Sequence, residues 1–316
     1  MPELPEVETI RRQLAPEVTG RTIVRAEIRD ERWPRPVPPA AVEAAVSGAR
    51  IEAVERRGKH LILRLDGDRA LVIHLRMTGN LLLRPAGADA TADLGEPERL
   101  GRPRLYEGSP DLRYLRARFV LDDDSELLFT DPRRFGTGAV MSSDELDAYL
   151  AARVGLEPLT EALTAEAIGE LAAGRRAPLK SFLLGQAGVA GIGNIYADEA
   201  LWRARLHPLS PAGSMRPEHW EALRQGIVEA LEAGLATGGA SIDDYRDSRG
   251  EQGSMQDEFA VHTREGEECR RCGEAIRRVV VGGRSTYFCP GCQKRLRRRR
   301  RPARATRSAP GRGAKR

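Results

Sequence analysis

The sequence predicts an α+β chain of several modules: an N-terminal β-sandwich or barrel-like domain, a helical domain, and a small C-terminal hairpin held by a metal. Three observations carry this. Residues 20 to 83 are dominated by β-branched, partly alternating segments. From about Asp144 to Gly238 the apolar residues recur at spacings of three and four. All 4 cysteines fall in two CxxC pairs near the end. With 316 residues, 41% of them hydrophobic, the chain is long enough for two compact domains and smaller modules.

The elements follow in order. MPELPEVET has the marks of a helix start: Pro early, acids in the first turn, and Val7 and Ile10 at amphipathic spacing. The same stretch can be read as a reagent. A small second residue normally allows the initiator Met to be removed, which would expose the secondary amine of Pro2. RTIVRAEI, RIEAVERRGKHLILRLD and ALVIHLRMTGNLLL then have the pattern of a sheet with one buried face. The stretch from about 84 to 112, rich in Gly, Pro, Ala and charge, is expected to be an exposed insertion. Strands resume with ARFVLDDDSELLFTD, where DDDS supplies a hairpin turn, and the first domain is expected to span 1–145.

The helical domain, 146–265, is expected to hold helices in DELDAYLAARVG, TAEAIGELAAG, APLKSFLLGQ, NIYADEALWRARL and RPEHWEALRQGIVEALEAGL. Between the third and fourth lies AGVAGIGN. Its Gly188, Gly191 and Gly193 permit tight turning and close backbone approach, and Asn194 suits the cap of the next helix. Free amides at such a start can bind phosphate. A plain helix connection would account for one or two of these glycines, so the phosphate reading is weighed slightly above it.

Cys269 and Cys272, then Cys289 and Cys292, are separated by sixteen residues and match a tetrathiolate zinc site. A disulfide pair is the alternative, which the missing signal peptide argues against. Four thiolates leave no open coordination position, so one structural Zn2+ is expected in a finger spanning 266–293. VVVGGRSTYF would form its hairpin, with Arg284 just past the turn.

The charge is distributed unevenly. Twelve of the 51 Lys and Arg lie in residues 294–316, a segment without acids, so a total of +5 leaves the rest of the chain at −7. Global basicity is thus weak support for nucleic-acid binding by the folded part. The composition of the tail predicts disorder; it serves either as a solubilising extension or as a nonspecific polyanion arm. No apolar run approaches a membrane span, and the expectation is a cytoplasmic protein without a membrane partner.

Ser or Cys nucleophile motifs, a P-loop and a dinucleotide fingerprint are absent, and no HxE accompanies the CxxC pairs. What remains is amines, carboxylates and basic clusters: Arg56, Arg57 and Lys59; Arg133 and Arg134; Arg175, Arg176 and Lys180; and the finger. Each cluster alone is more often a solvated face. Together they suggest one polyanion groove.

MPELPEVET, RRGKHL, HLRMTG, TDPRRFG, GxGNIYADE and CxxC...CxxCQK, occurring in this order, resemble the formamidopyrimidine-DNA glycosylase family. The resemblance runs from Pro2 to Lys294, the insertion excepted. It implies an N-terminal β-sandwich, a helix-two-turns-helix domain and a zinc finger. It also implies a monomer that excises oxidised purines from damaged double-stranded DNA and then cleaves the abasic strand. By that resemblance Pro2 is the nucleophile and Glu3 the general acid or base. Lys59 assists elimination and holds phosphate, and Arg284 is the zinc-hairpin arginine, placed with Pro2, Glu3 and Lys59 among the catalytic residues. Met77, Arg133 and Phe135 fill the gap left by the extruded nucleotide, although by themselves Met77 and Phe135 read as core and Arg133 as surface charge. Lys180, Asn194, Arg176 and Tyr114 are assigned to DNA contact, and Glu199 to buttressing a helix start. Glu6 is expected to support the terminus, and Glu8 to be a first-turn acid.

There are departures from the family pattern. Arg76 replaces a common Gly, Tyr114 stands where a His is usual, and Gly253, Ser254 and Met255 lack an aromatic residue. A specificity for oxidised pyrimidines on the same scaffold is opposed by PELPE in place of PEGPE. A non-catalytic damaged-DNA-binding zinc protein is opposed by the presence of both Pro2 and Glu3.

Overall fold

The computed structural model describes residues 2–87, 112–242 and 244–296. The insertion expected at 84–112, apart from its ends, and the basic tail beyond 296 lie outside the described residues. Helix α1 (Leu4–Val18) starts at the opening motif and buries Leu4, Val7, Ile10, Leu14 and Val18, a single stripe at helical spacing.

Eight strands follow: β1 (Ile23–Ile28), β2 (Ile51–Arg57), β3 (His60–Leu65), β4 (Arg69–His74), β5 (Asn80–Arg84), β6 (Leu115–Leu121), β7 (Glu126–Thr130) and β8 (Thr137–Ser142). They form two four-stranded antiparallel sheets, ordered β1-β6-β7-β5 and β2-β3-β4-β8. Inward residues of both sheets, among them Leu63, Ile73, Leu81, Phe119 and Phe129, make one core with α1. Trp33 lies in it, its ring 5.5 Å from Phe129. One helix was not anticipated: α2 (Pro39–Val46) falls in a stretch read mostly as strand. Its signal is two turns long, with only Val42 and Val46 buried, too short to establish a period.

The connections β4–β5 and β7–β8 both cross from one sheet to the other. Because His74 pairs with Thr137 and Asn80 with Thr130, these two crossings lie side by side at one end of the sandwich.

The remaining helices are α3 (Ser143–Arg153), α4 (Ala165–Ala172), α5 (Leu179–Leu183), α6 (Asn194–Arg203), α7 (Pro217–Ala236) and the short α8 (Met255–Glu258). Through Leu146, α3 packs with Ile62, Ala70 and Val72 of the second sheet, while α4 to α8 share a separate core. Strands β9 (Arg277–Val281) and β10 (Arg284–Phe288) form the C-terminal hairpin. Gly282 and Gly283 have φ of 58° and 74°, the two left-handed positions of the turn favoured between twisted strands. Two side chains cross between the cores: Leu4 packs among the helices and Tyr245 in the sandwich. Among the described residues no helix is long and apolar enough to cross a membrane.

The β3–β4 register sets His60 opposite His74, with ring centroids 4.7 Å apart. Burial holds the His60 imidazole down to about 4 and His74 down to about 2, so both are neutral in the fold. In the unfolded chain they protonate near pH 6.5. Their contribution to stability is therefore complete above that pH and lost as pH falls toward the folded values. The urea midpoint should drop between pH 7 and pH 4, and His60→Gln with His74→Asn should make that drop shallower. An unchanged slope in the double variant would assign acid lability to other groups.

Candidate active site

Glu3 immediately precedes α1 and is 1% exposed. Its carboxylate accepts hydrogen bonds from the backbone N–H groups of Gly193 and Ile195, the second at 3.0 Å. These are amides of the first turn of α6, which would otherwise lack partners, and the positive end of the helix favours the negative charge. The amides expected to bind phosphate are thus occupied by an acid of the same chain. The glycines have the matching explanation. A Cβ on Gly193 would collide with the Glu3 carboxylate, and one on Gly191, at φ 78°, with the Leu4 side chain. Asn194, expected as the cap, is instead the first residue of α6, with Gly193 in the cap position. Its Oδ1 is buried and without a hydrogen-bond partner.

Pro2 is buried directly before Glu3. Below them Glu6 accepts from the Glu3 N–H at 2.7 Å, from the Tyr196 hydroxyl at 2.7 Å and from the Ala240 N–H at 2.8 Å. Burial, reinforced by the neighbouring Glu3, pushes the Glu6 carboxyl up from its ordinary range. Lys59 is buried between β2 and β3 and donates to the Ile192 carbonyl at 3.0 Å. Burial lowers its pKa, the charges of Glu3 and Glu6 oppose that fall, and Arg284 adds to it. Glu8 does more than a first-turn acid. Although burial opposes it, hydrogen bonds from Arg11, Arg12 and Arg56 bring its carboxyl down to about 2.

A cleft of about 230 Å³ opens at this point. It is lined by Glu3, Asn194 and Ile195 on one side, Ile242, Asp244 and Tyr245 on another, and His262, Thr263 and Arg284 on a third. Arg284 reaches it from the exposed start of β10. The hairpin is held in place by two acids of α6. Asp198 pairs with Lys180 at 2.7 Å, meets His262 Nδ1 at 2.9 Å and accepts from the Tyr287 N–H at 3.3 Å. Glu199 accepts from the successive amides of Ala260, Val261 and His262 at 3.0–3.1 Å. Glu199 therefore buttresses the segment before the finger rather than a helix start.

Several expected DNA contacts are corrected here. Lys180 has a side chain that is 0% exposed, and it donates to Asp198 and to the Ser285 carbonyl, so its ammonium has no face for a phosphate. Arg56 is consumed by Glu8 at 3.0 Å and Glu157 at 2.6 Å, and Arg57 pairs with Glu157 at 2.7 Å. The first basic cluster thus knits the two domains together. Arg176 is exposed and lines a separate concavity of about 400 Å³ with Arg175 and Arg216.

Met77 and Phe135 are 39% and 50% exposed, which excludes the core alternative for both. They sit on the two adjacent crossings of the sandwich, and the exposed Arg133 guanidinium lies 4.9 Å from the Phe135 ring centre. Arg76 has φ 57°, a left-handed backbone that favours Gly, and its N–H is fixed by His74 Nδ1 at 3.0 Å. Tyr114 is half-buried next to these crossings, its carbonyl accepting from the Asp131 N–H at 2.9 Å. Met255 is buried in the helical core.

The Sγ atoms of Cys269, Cys272, Cys289 and Cys292 all lie within 4.8 Å of one another. Cys269 to Cys292 is 3.9 Å and Cys272 to Cys289 is 3.4 Å. Four sulfurs at about 2.3 Å from a tetrahedral zinc stand about 3.8 Å apart, so the donor set fits that ion.

Three family models match the chain. The formamidopyrimidine-DNA glycosylase N-terminal domain covers residues 1–138, the formamidopyrimidine-DNA glycosylase H2TH domain 154–246, and the zinc finger found in FPG and IleRS 266–295. The formamidopyrimidine-DNA glycosylase of Chloroflexus aurantiacus is 44% identical over 295 residues, covering 93% of this chain and 98% of the relative. That of Roseiflexus sp. is 41% identical over 297 residues, covering 93% and 100%. Among solved structures, Lactococcus lactis Fpg with DNA containing an abasic site aligns with a TM-score of 0.78 at 33% identity, covering 93% of this chain and 100% of that one. The Lactococcus lactis complex with Fapy-dG-containing DNA gives the same values. Sequence, domain order and three-dimensional structure agree, and the chain belongs to the formamidopyrimidine-DNA glycosylase family.

Proposed function

We propose that this chain is a DNA glycosylase of base excision repair that removes oxidised purines, such as 8-oxoguanine and formamidopyrimidines, from damaged double-stranded DNA and then cleaves the abasic strand. It works as a cytoplasmic monomer with one zinc ion held by the four cysteines. The observation that supports this most is the Glu3 carboxylate, buried on two helix amides beside Pro2 at a cleft rimmed by Asn194 and Arg284.

Once Met1 is removed, Pro2 offers a secondary amine, and an ordinary α-amino group ionises near pH 7.7–8.0, about neutrality. As its nitrogen bonds to the sugar C1′, the bond from C1′ to the damaged base breaks and the base departs with a proton; the C1′–O4′ bond then breaks, O4′ taking a proton, and the opened sugar is left as a cationic iminium. Glu3 moves protons between the base, the opening sugar and solvent. The cation acidifies the C2′ proton, whose loss opens β- and then δ-elimination. Lys59 places a second amine close to the same acids. With a volume below the roughly 300–1,000 Å³ typical of drug-sized pockets, the cleft suits a single base turned out of the stack.

Borohydride reduction of a reaction on abasic duplex tests the reading. The unaltered protein should leave a covalent complex, and Pro2→Gly should reduce its yield by an order of magnitude or more while duplex affinity holds. Full trapping by the variant would remove Pro2 from its role. Absence of any trapped complex with the unaltered protein would leave a damaged-DNA binder.

A further inference from the structure

The two crossings that carry Met77 and Phe135 are joined by one carboxylate. Asp131 closes the β7 end of the second crossing and is 0% exposed. Its Oδ1 accepts from the Thr78 hydroxyl at 2.5 Å and from the Arg133 N–H at 3.1 Å. Its Oδ2 accepts from the Phe135 N–H at 2.8 Å and the Gly136 N–H at 2.7 Å. Four donors from both crossings thus converge on two oxygens. The partners adjoin or include the three expected gap-filling residues: Thr78 follows Met77, and Arg133 and Phe135 give their own amides.

The surroundings hold the same geometry. Arg134, between the two gap-fillers of its crossing, has φ 59° and forks onto Asp30 at 2.5 and 2.6 Å. The Phe129 ring lies beneath both crossings, where a Cβ on Gly79 or on Gly136 would collide with it. Two exposed apolar side chains are therefore presented on loops whose backbones are fixed in advance. Such preorganisation avoids ordering cost at the moment of binding. A wedge entering a base stack must offset an unstacking cost of a few kcal/mol.

We propose that Asp131 is a positioning residue that couples the two crossings, so that Met77, Arg133 and Phe135 enter the duplex as one preformed wedge. This rests on the reading of those three residues as gap-fillers, and the test separates the two ideas. Asp131→Asn keeps the shape but sets an NH2 group against backbone donors on one side.

Single-turnover excision from an 8-oxoguanine duplex should fall by about a hundredfold, the cost of misplacing a positioned group by about an ångström. Cleavage of a single-stranded abasic oligonucleotide, which needs no wedge, should stay within twofold of the unaltered rate. The fluorescence rise of 2-aminopurine placed opposite the lesion, which reports unstacking, should be lost. Thr78→Val, which breaks only the link to the Met77 crossing, should move the same readouts in the same direction to a smaller extent. Adding Asp131→Asn to Phe135→Ala should cost less than the two single effects combined, because both act on the same wedge.

If Phe135→Ala leaves duplex excision unchanged, the gap-filling reading itself fails. If Phe135→Ala slows it and neither Asp131→Asn nor Thr78→Val does, the coupling through Asp131 is overturned. Equal losses on duplex and single-stranded substrates would likewise overturn it, in favour of a purely structural acid.

Discussion

Replacing Glu3 with Gln should lower the rate of base removal from an oxidised-purine duplex by 10²–10⁴-fold, the range a positioned general acid or base supplies. The side chain keeps its length, but the change falls on both of its functions. A carboxylate takes the Gly193 and Ile195 amides on its two oxygens, whereas an amide offers one oxygen and turns an NH2 group toward a donor. The proton-carrying capacity is lost as well. Glu6 beneath it is held by Tyr196 and Ala240 independently, so the helix start should survive, with the melting temperature lowered by a few degrees for the one buried amide left unsatisfied. Strand cleavage at a preformed abasic site, which skips base loss, should be retained to a greater extent. Equal rates for Glu3→Gln and the unaltered protein on the oxidised duplex would exclude Glu3 from proton transfer.

The second large effect is expected from Cys289→Ser. Cys289 is fully buried, and structural zinc in small fingers carries about 10–16 kcal/mol of apparent binding energy, so losing one thiolate should release the ion and unfold the hairpin. Arg284, carried on that hairpin, then loses its place at the cleft, while His262 stays held by Asp198 and Glu199 of α6. Zinc content measured by mass spectrometry should fall well below one per chain, and duplex affinity should drop roughly a hundredfold as cationic contacts are removed. The sandwich and the helical bundle have cores of their own and should still unfold cooperatively. Metal-free protein that binds duplex with unchanged affinity would contradict this account.

Much of the architecture was legible because its signals are long or chemically specific. The 3.6-residue period of the segment at Pro217–Ala236, the DDDS turn and the paired CxxC motifs each point to one structure. What the sequence concealed is whom a polar residue meets. Lys180 and Arg56 look like surface cations, yet both are spent on buried acids supplied by other elements, Asp198 in one case and Glu8 with Glu157 in the other. Gly191 and Gly193 announce a close approach without saying to what; the partner is nearly 190 positions away in sequence. Asp131 and Asp198 were readable only as acids inside otherwise apolar or turn-forming motifs, and Glu199 as a buttress of the wrong segment. Such an acid can be buried only if several donors converge on it, and that convergence is a property of tertiary structure.

The docking of the opening helix between the two cores has a consequence for biosynthesis. Glu3 finds its amides at Gly193 and Ile195, and Glu6 finds the Tyr196 hydroxyl and the Ala240 amide, all of which leave the ribosome long after the amino end. A nascent or truncated product carries Glu3 and Glu6 without the groups that hold them in the fold. The contacts of Glu3 and Glu6 therefore form late in synthesis, in polypeptides that have translated past Ala240.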